Sequence, residues 1–427
     1  MISPARSSVF LLTTSQTLSK QASRRTNMKK QPLWTKDFLG VSITSFFLFI
    51  GFYILLTTLP IYILDDLKGS ESQVGLIISV FLIAAVISRP FTGKWIDEIG
   101  RKKILMISMV IFTVASALYF TADSLPMLLA VRFLHGAGFG MATTATGAIV
   151  ADIVPAERRG EGLGYYAMFM NLAMVIGPFT GLTIIQYAAY SWIFVLCTVL
   201  AVLALVLSSI ISIPENSGEK TKQPSFAFSS LFEKNAVPVS IAAGTLAFAY
   251  SGVLSFISVY AKELGLMQAA SFFFVVYAAF ILISRPFTGR WFDMYGENRV
   301  IYPAIVLFAA GLFLLSLADN SFLFLLAGAV IGLGYGTIVP SMQTVAIKNA
   351  DPSKRGLATS TFFTMFDSGI GLGSYVLGIV AVYTGFAKLY MVLVLVSLIG
   401  LGLYYILHGK KTAAAKEEMQ SEVNISM

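Results

Sequence analysis

Twelve apolar runs, each long enough to cross a bilayer, recur along the chain at roughly 38–64, 74–95, 104–121, 127–150, 163–187, 191–213, 237–260, 268–291, 300–318, 322–347, 359–384 and 387–407. A spanning helix takes about 20 apolar residues, and backbone polar groups in lipid must be satisfied within the segment or by a closed barrel. The runs are continuous rather than alternating, so they predict helices and not barrel strands. Composition agrees: 56% of the 427 residues are hydrophobic and 12% are charged, where soluble domains carry about 25% charged residues. The expected fold class is an all-α membrane protein of twelve transmembrane helices, with little chain left over for a soluble domain.

Charge sets the expected orientation. Of the 30 Lys and Arg, 24 fall in the two tails and in alternate loops, so both termini are expected on the cytoplasmic side. Lys68, Lys262 and Lys388 fall opposite, and Arg89, Arg132 and Arg285 lie within or at the ends of spans. The net charge of +8 is therefore a topology signal beside anionic lipid, and no nucleic-acid partner is expected. One cysteine, Cys197, excludes an internal disulfide, and two histidines, His135 and His408, give no support to a metal site. No cofactor is expected. Residues 1–30 are basic, Ser/Thr-rich and free of acids in the manner of a transit peptide. Met28, followed by Lys29 and Lys30, is preferred as the start, with no cleavable secretory signal. The expected location is the cell membrane, as a bacterial inner membrane protein and a monomer.

The segment ISRPFTGKW at 87–95 returns as ISRPFTGRW at 283–291, an offset of 196 residues with eight of nine positions identical. The same offset carries Asp97 to Asp293, Gly100 to Gly296, the series Gly136, Gly138 and Gly140 to Gly332, Gly334 and Gly336, and Arg159-Gly160 to Arg355-Gly356. The chain thus reads as a cytoplasmic tail (1–33, expected disordered), a six-helix bundle (34–213), a polar cytoplasmic linker (214–236), a second six-helix bundle (237–407) and a cytoplasmic tail (408–427). Six spans per repeat keep both halves in one orientation, related by an axis along the membrane normal. Their interface is the natural place for a central site reached by alternating access.

These residues carry a resemblance. GKWIDEIGRKK at 93–103 resembles the signature loop between spans 2 and 3 of the major facilitator superfamily, and GRWFDMYGENR at 289–299 is its weaker copy. The resemblance covers the chain from about residue 34 to 407. It implies the major facilitator fold, with the loop latching the cytoplasmic side when the transporter opens outward, and it assigns that latch to Gly93, Asp97 and Arg101, with Gly289 and Asp293 in the second copy. Glu297 stands where the first copy has Arg101. Physically, the glycines permit close helix approach, and Asp97 beside Arg101, Lys102 and Lys103 offers a charge-assisted network. A merely topogenic basic loop is the alternative.

Span 4 reads LLAVRFLHGAGFGMA at 128–142. A membrane arginine is costly and faces a cavity or a partner, unless it snorkels to the interface. By resemblance Arg132 assists proton movement, with His135, one turn on, in place of the family's glutamine. In span 5, Gly164, Gly177, Pro178 and Gly181 follow the family's antiporter signature, which is associated with exporters; an ordinary kink is the alternative. Asp367 of span 11 is the only acidic residue well inside any span. A carboxylate there is expected to have a raised pKa and to exchange protons near neutral pH, which makes it the leading candidate for proton coupling. A structural partnership with a basic group such as Arg89 is the alternative, and Arg89 and Arg285 are read as structural. Asp152 reads as a helix-end feature.

In this superfamily spans 1, 4, 7 and 10 line the cavity. The interiors of spans 1, 7 and 10 contain no acid, and Phe46, Tyr53, Tyr250, Tyr335 and Gln343 are candidate contacts. Such a lining suits a moderately hydrophobic organic molecule better than a multiply charged one. The expected function is a proton-coupled exporter of small amphiphilic compounds, resembling the twelve-span drug:proton antiporters and driven by the proton gradient. An exporter of a specific metabolite (a sugar, an amino acid derivative or a metallophore) is the alternative within transport, and a non-transporting sensor the alternative outside it. No nucleophile or phosphate loop supports an enzyme.

Overall fold

A computed structural model describes residues 32–155, 158–212, 232–350 and 355–410. Met28, most of the two tails and the linker, and the side chain of Asp97 lie outside the described residues. In chain order the helices are α1 Lys36–Asp65, α2 Glu71–Ile99, α3 Arg101–Leu118, α4 Leu125–Ile153, α5 Arg159–Tyr187 and α6 Ser191–Ile210, then α7 Val237–Glu263, α8 Met267–Tyr295, α9 Asn298–Ser316, α10 Ser321–Lys348, α11 Arg355–Thr384 and α12 Phe386–Tyr404. A π-helical turn, Tyr405–Gly409, closes the last, so His408 is helical. Among the described residues, twelve helices are long and apolar enough to cross a membrane.

The helix ends follow from local chemistry. Thr35 Oγ1 accepts from Phe38 N at 3.1 Å at the start of α1, and Asn320 Oδ1 accepts from Leu323 N at 2.9 Å at the start of α10, each satisfying an orphan donor. Between α2 and α3 the chain turns at Gly100 with φ 104°, and between α8 and α9 at Gly296 with φ 87°. Residues with a Cβ rarely adopt that region, which accounts for the glycine duplicated in both loops.

Each half repeats one packing plan. In the first, α1 packs on α5 and α6, α2 on α4, and α3 on α4 and α6; in the second, α7 packs on α11 and α12, α8 on α10, and α9 on α10 and α12. The halves meet along α2–α11, α5–α8 and α1–α7. The outermost helices expose Val110, Val206, Val306 and Leu395, all about half exposed or more, the surface a bilayer would cover.

The bundle has two unlike ends. At one end, where α1 turns into α2 and α7 into α8, Lys262 of α7 pairs with Asp65 of α1. There Gln186 Nε2 of α5 donates to Ser271 Oγ of α8 at 2.8 Å. Between α2 and α11, Ser79 Oγ donates to Gly371 O at 2.6 Å, and a Cβ on Gly378 would come within 2.9 Å of Glu71 O. At the basic end, where α2 turns into α3 and α8 into α9, a Cβ on Gly93 or Gly289 would meet nothing within 4 Å. The halves are closed at the end opposite the basic loops, and the close approach expected at the latch glycines is not made in this conformation.

Candidate functional site

Arg89 of α2 and Asp367 of α11 form an ion pair between the two halves. Arg89 stands ten residues before the end of α2 at Ile99, about 15 Å along the axis, and Asp367 twelve residues after the start of α11 at Arg355, about 18 Å. Both side chains are therefore inside the membrane-spanning length, with fractional exposures of 32% and 14%. The seam that holds them is the α2–α11 contact pinned by Ser79 and Gly371. Asp367 is thus not an isolated acid, and Arg89 neither snorkels to the basic face nor joins the latch loop. A membrane carboxylate whose charge is matched is far less costly than one alone.

Around this pair lie aromatic side chains from both halves. Tyr250 and Tyr335 stack with centroids 3.8 Å apart, Tyr277 stacks on Tyr250 at 6.0 Å, and Phe366, next to Asp367, lies 6.5 Å from Tyr335. From α1, Tyr53 packs on Phe52 at 5.0 Å; Phe46, seven residues earlier, packs edge-on to Phe169 at 6.2 Å, and no described contact links it to the pair. Gln343 is partly exposed and makes no described hydrogen bond. Tyr335 Oη is buried without a hydrogen-bond partner. Sequence reasoning missed Tyr277, although the repeat offset pairs it with Phe81 and Tyr335 with Phe139. Packing is served by phenylalanine at both positions in the first half, so the hydroxyls of the second half are additions that the fold does not need.

Arg132 and His135 lie elsewhere. Both are fully buried inside the first half, so Arg132 does not snorkel. Its guanidinium sits 4.2 Å from the Phe81 ring centroid, Nε donates to Ile77 O at 3.3 Å and Nη1 donates to Tyr119 Oη at 3.4 Å, while Nη2 has no partner. His135 Nδ1 bonds the same Tyr119 hydroxyl at 3.0 Å. The shared face expected of the two residues is thus organised by Tyr119, which the sequence did not single out. No described contact links this cluster to Asp367.

In the antiporter segment, a Cβ on Gly177 would come within 2.7 Å of Tyr53 Cβ, and one on Gly181 within 2.9 Å of Thr58 Cγ2, so both glycines let α5 lie close on α1. Gly164 faces open space. Pro178 sits within α5.

At the basic end, Arg101 Nε lies 2.6 Å from Asp152 Oδ2, so Asp152 is more than a helix-end feature. In the second half Glu297, buried, has Lys348 Nζ at 3.4 Å and accepts from His408 Nε2 at 2.9 Å. That hydrogen bond, reinforced by Lys348, holds the Glu297 carboxyl below the usual carboxylate range against the opposing pull of burial. Asp293 is exposed. Among the described residues no group of His, Cys, Asp and Glu is arranged to hold a metal ion.

The fold and this site can be set beside known proteins. Residues 41–374 match the Major Facilitator Superfamily model, and residues 240–424 match it again. The quinolone resistance protein NorA of Staphylococcus aureus (strain COL) is 23% identical over 340 residues, covering 78% of this chain and 87% of NorA. An MFS-type transporter of Methanocaldococcus jannaschii, MJ1560, is 24% identical over 365 residues, covering 83% of this chain and 94% of the relative. Among solved structures, the nucleoside transporter NupG superposes with a TM-score of 0.70 at 15% identity, covering 87% of this chain and 99% of NupG. With twelve membrane-crossing helices in two like halves, this multi-pass protein of the cell membrane is a transporter and not an enzyme, and it belongs to the major facilitator superfamily.

Proposed function

We propose that the protein is a proton-coupled exporter of small amphiphilic organic compounds that works by alternating access. The observation that carries this reading is the Arg89–Asp367 pair, which joins the two halves inside the membrane-spanning length. A proton and Arg89 compete for the same carboxylate. With the end opposite the basic loops closed, as here, Arg89 takes the proton's place and the proton leaves toward the basic end, which the distribution of Lys and Arg makes cytoplasmic, so that the closed end is the outer one. Substrate then loads from that side. After the outer end opens and substrate departs, protonation of Asp367 neutralises the acid and releases Arg89, so the halves can return without an unpaired carboxylate in the membrane. The aromatic lining around Tyr53, Tyr250, Tyr277 and Tyr335 suits an amphiphilic cargo, and the name of NorA, a quinolone resistance protein, supports drug-like cargo.

The test is uptake of a fluorescent amphiphile panel into everted vesicles under an imposed pH gradient. Wild type should accumulate at least one compound when the lumen is acid, and Asp367→Asn should abolish that gradient dependence while still binding the compound. Accumulation by Asp367→Asn with the wild-type dependence on the gradient removes Asp367 from the coupling. Absence of any gradient-driven movement by wild type across the panel overturns the exporter reading.

A further inference from the structure

Resting on that reading, we infer that Arg285 is an anion-recognition residue, and that the transported molecules are amphiphilic organic monoanions or zwitterions bearing a carboxylate. The repeat places two equivalent stripes on α2 and α8. On α2, Gly75, Leu82 and Arg89 recur every seven residues, a spacing that keeps them on one stripe of a helix. That stripe faces α11: a Cβ on Gly75 would run into the Ser374 backbone, Leu82 Cβ would lie 3.6 Å from a Cβ on Gly371, and Arg89 reaches Asp367. The repeat-equivalent stripe on α8 is Ser271, Ala278 and Arg285. It faces α5, because Ser271 accepts from Gln186 at 2.8 Å, while the lipid-facing side of α8 is marked by exposed Phe272, Ile283 and Phe287. Following both stripes to the arginine gives different outcomes. Arg89 meets Asp367, whereas the residue of α5 at the equivalent position is the neutral Asn171.

Arg285 is exposed and has no ion pair or side-chain hydrogen bond among the described residues. It stands ten residues before the end of α8 at Tyr295, about 15 Å along the axis, at the basic-end limit of the membrane-crossing stretch Met267–Arg285. A guanidinium at that depth, turned away from lipid, requires water or a counter-charge, and among the described residues the fold supplies one to its twin and none to it. A carboxylate fits the planar fork of the guanidinium in two-bond geometry. The second half also supplies Tyr335 Oη, buried and unpartnered, which can bond the polar groups of such a molecule. Tyr277 lies two turns from Arg285 on an adjoining face of α8, so a molecule with an aromatic body and one acid can span from the phenols to the guanidinium. One guanidinium selects one acid, consistent with the otherwise apolar lining.

The test uses purified protein in lipid nanodiscs without a gradient and three forms of one fluorescent amphiphile: 1-pyrenebutyrate, its methyl ester and the corresponding trimethylammonium compound. Wild type should bind pyrenebutyrate about tenfold or more tighter than the ester by fluorescence anisotropy, the order expected of a charge-assisted pair, and bind the cation weakest. Arg285→Gln should erase the preference, and Arg285→Lys should keep part of it. Asn171→Asp, which copies the Arg89–Asp367 seam and so is compatible with the fold, should neutralise Arg285 and also erase it. Equal binding of acid and ester by wild type, absence of binding by all three forms, or a preference that survives both Arg285→Gln and Asn171→Asp overturns the assignment. Loss of gradient-driven transport with the carboxylate preference intact would instead remove the proton-coupled reading and leave Arg285 standing.

Discussion

Lys348 Nζ lies 3.4 Å from Glu297 Oε2, and the two residues occupy the repeat-equivalent positions of Asp152 and Arg101, whose ion pair they reproduce with the charges exchanged. The link between the α8–α9 turn and the end of α10 was kept while its sign reversed. The next position repeats the pattern. Lys102 Nζ donates to Ser209 O at 2.9 Å and to Ile211 O at 2.6 Å at the end of α6, and its equivalent Asn298 donates through Nδ2 to Gly409 O at 3.0 Å at the end of α12. Each half therefore staples its last helix to its loop motif, and Glu297 marks a substituted staple rather than a lost one.

If sign is interchangeable, then Arg101→Glu alone should lower the melting temperature and Arg101→Glu with Asp152→Lys should restore most of it. The coupling energy expected of a partly exposed pair is about 1 kcal/mol. Thermal unfolding of the four proteins in detergent gives the cycle directly. A double variant no more stable than the sum of its singles would show that the exchanged pair does not form in the first half.

The Glu297 carboxyl is held below its usual range, first by the His408 hydrogen bond and then by Lys348. A folded-state carboxyl that is depressed contributes stability above its unfolded value and loses it as pH falls through the depressed value. Wild type should therefore lose stability as pH drops through and below the ordinary carboxylate range, and Glu297→Gln should show a shallower loss there. At pH 7 the same variant should be less stable by about 1–3 kcal/mol, the cost of weakening a buried charge-assisted contact. Melting curves from about pH 7 down to about pH 2.5 test this, spanning the ordinary carboxylate range and the region below it; parallel curves would mean that Glu297 carries none of the acid sensitivity.

How much of this was readable beforehand differs by feature. Twelve spans and their two-by-six order follow from the sequence because apolar runs have one viable structure in lipid and because the repeat is nearly verbatim at 87–95 and 283–291. Asp367 stood out for the same reason, a rare charge in an apolar stretch. Arg89 was open to reading as its structural partner, but nothing in the periodicity of α2 says which helix of the other half it faces, so the pairing itself needed the structure. Tyr119 and Tyr277 were equally hidden, since a tyrosine within a span looks like packing until its neighbours are known. The exchange of Arg101 and Asp152 for Glu297 and Lys348 was legible at the repeat offset, and comparing pairs rather than single positions would have found it.

The Arg89–Asp367 pair separates structure from coupling in one experiment. Asp367→Asn strands a cation, and Arg89→Gln strands a carboxylate, so each single variant should cost about 1–3 kcal/mol given that the side chains are not fully buried. The double variant leaves two neutral amides able to bond each other and should recover most of that stability. It should not recover gradient-driven transport, because no group at the seam then exchanges a proton. Transport restored along with stability in the double variant would make the pair a structural contact only.

The antiporter segment offers an internal control on whether its glycines serve packing. A Cβ on Gly177 would stand 2.7 Å from Tyr53 Cβ and 3.1 Å from Ile50 O, while one on Gly164 would meet nothing within 4 Å, although both belong to the same helix and the same motif. Gly177→Ala should force α5 away from α1 and cost about 1–3 kcal/mol as overpacking. Gly164→Ala, in open space on a helix, should be neutral or stabilising by up to about 1 kcal/mol through reduced backbone entropy. Stability and transport measured together divide the roles further. If Gly164→Ala stays folded yet impairs transport, Gly164 is needed in a conformation where the halves close at the basic end, which is where the absence of a side chain would then matter.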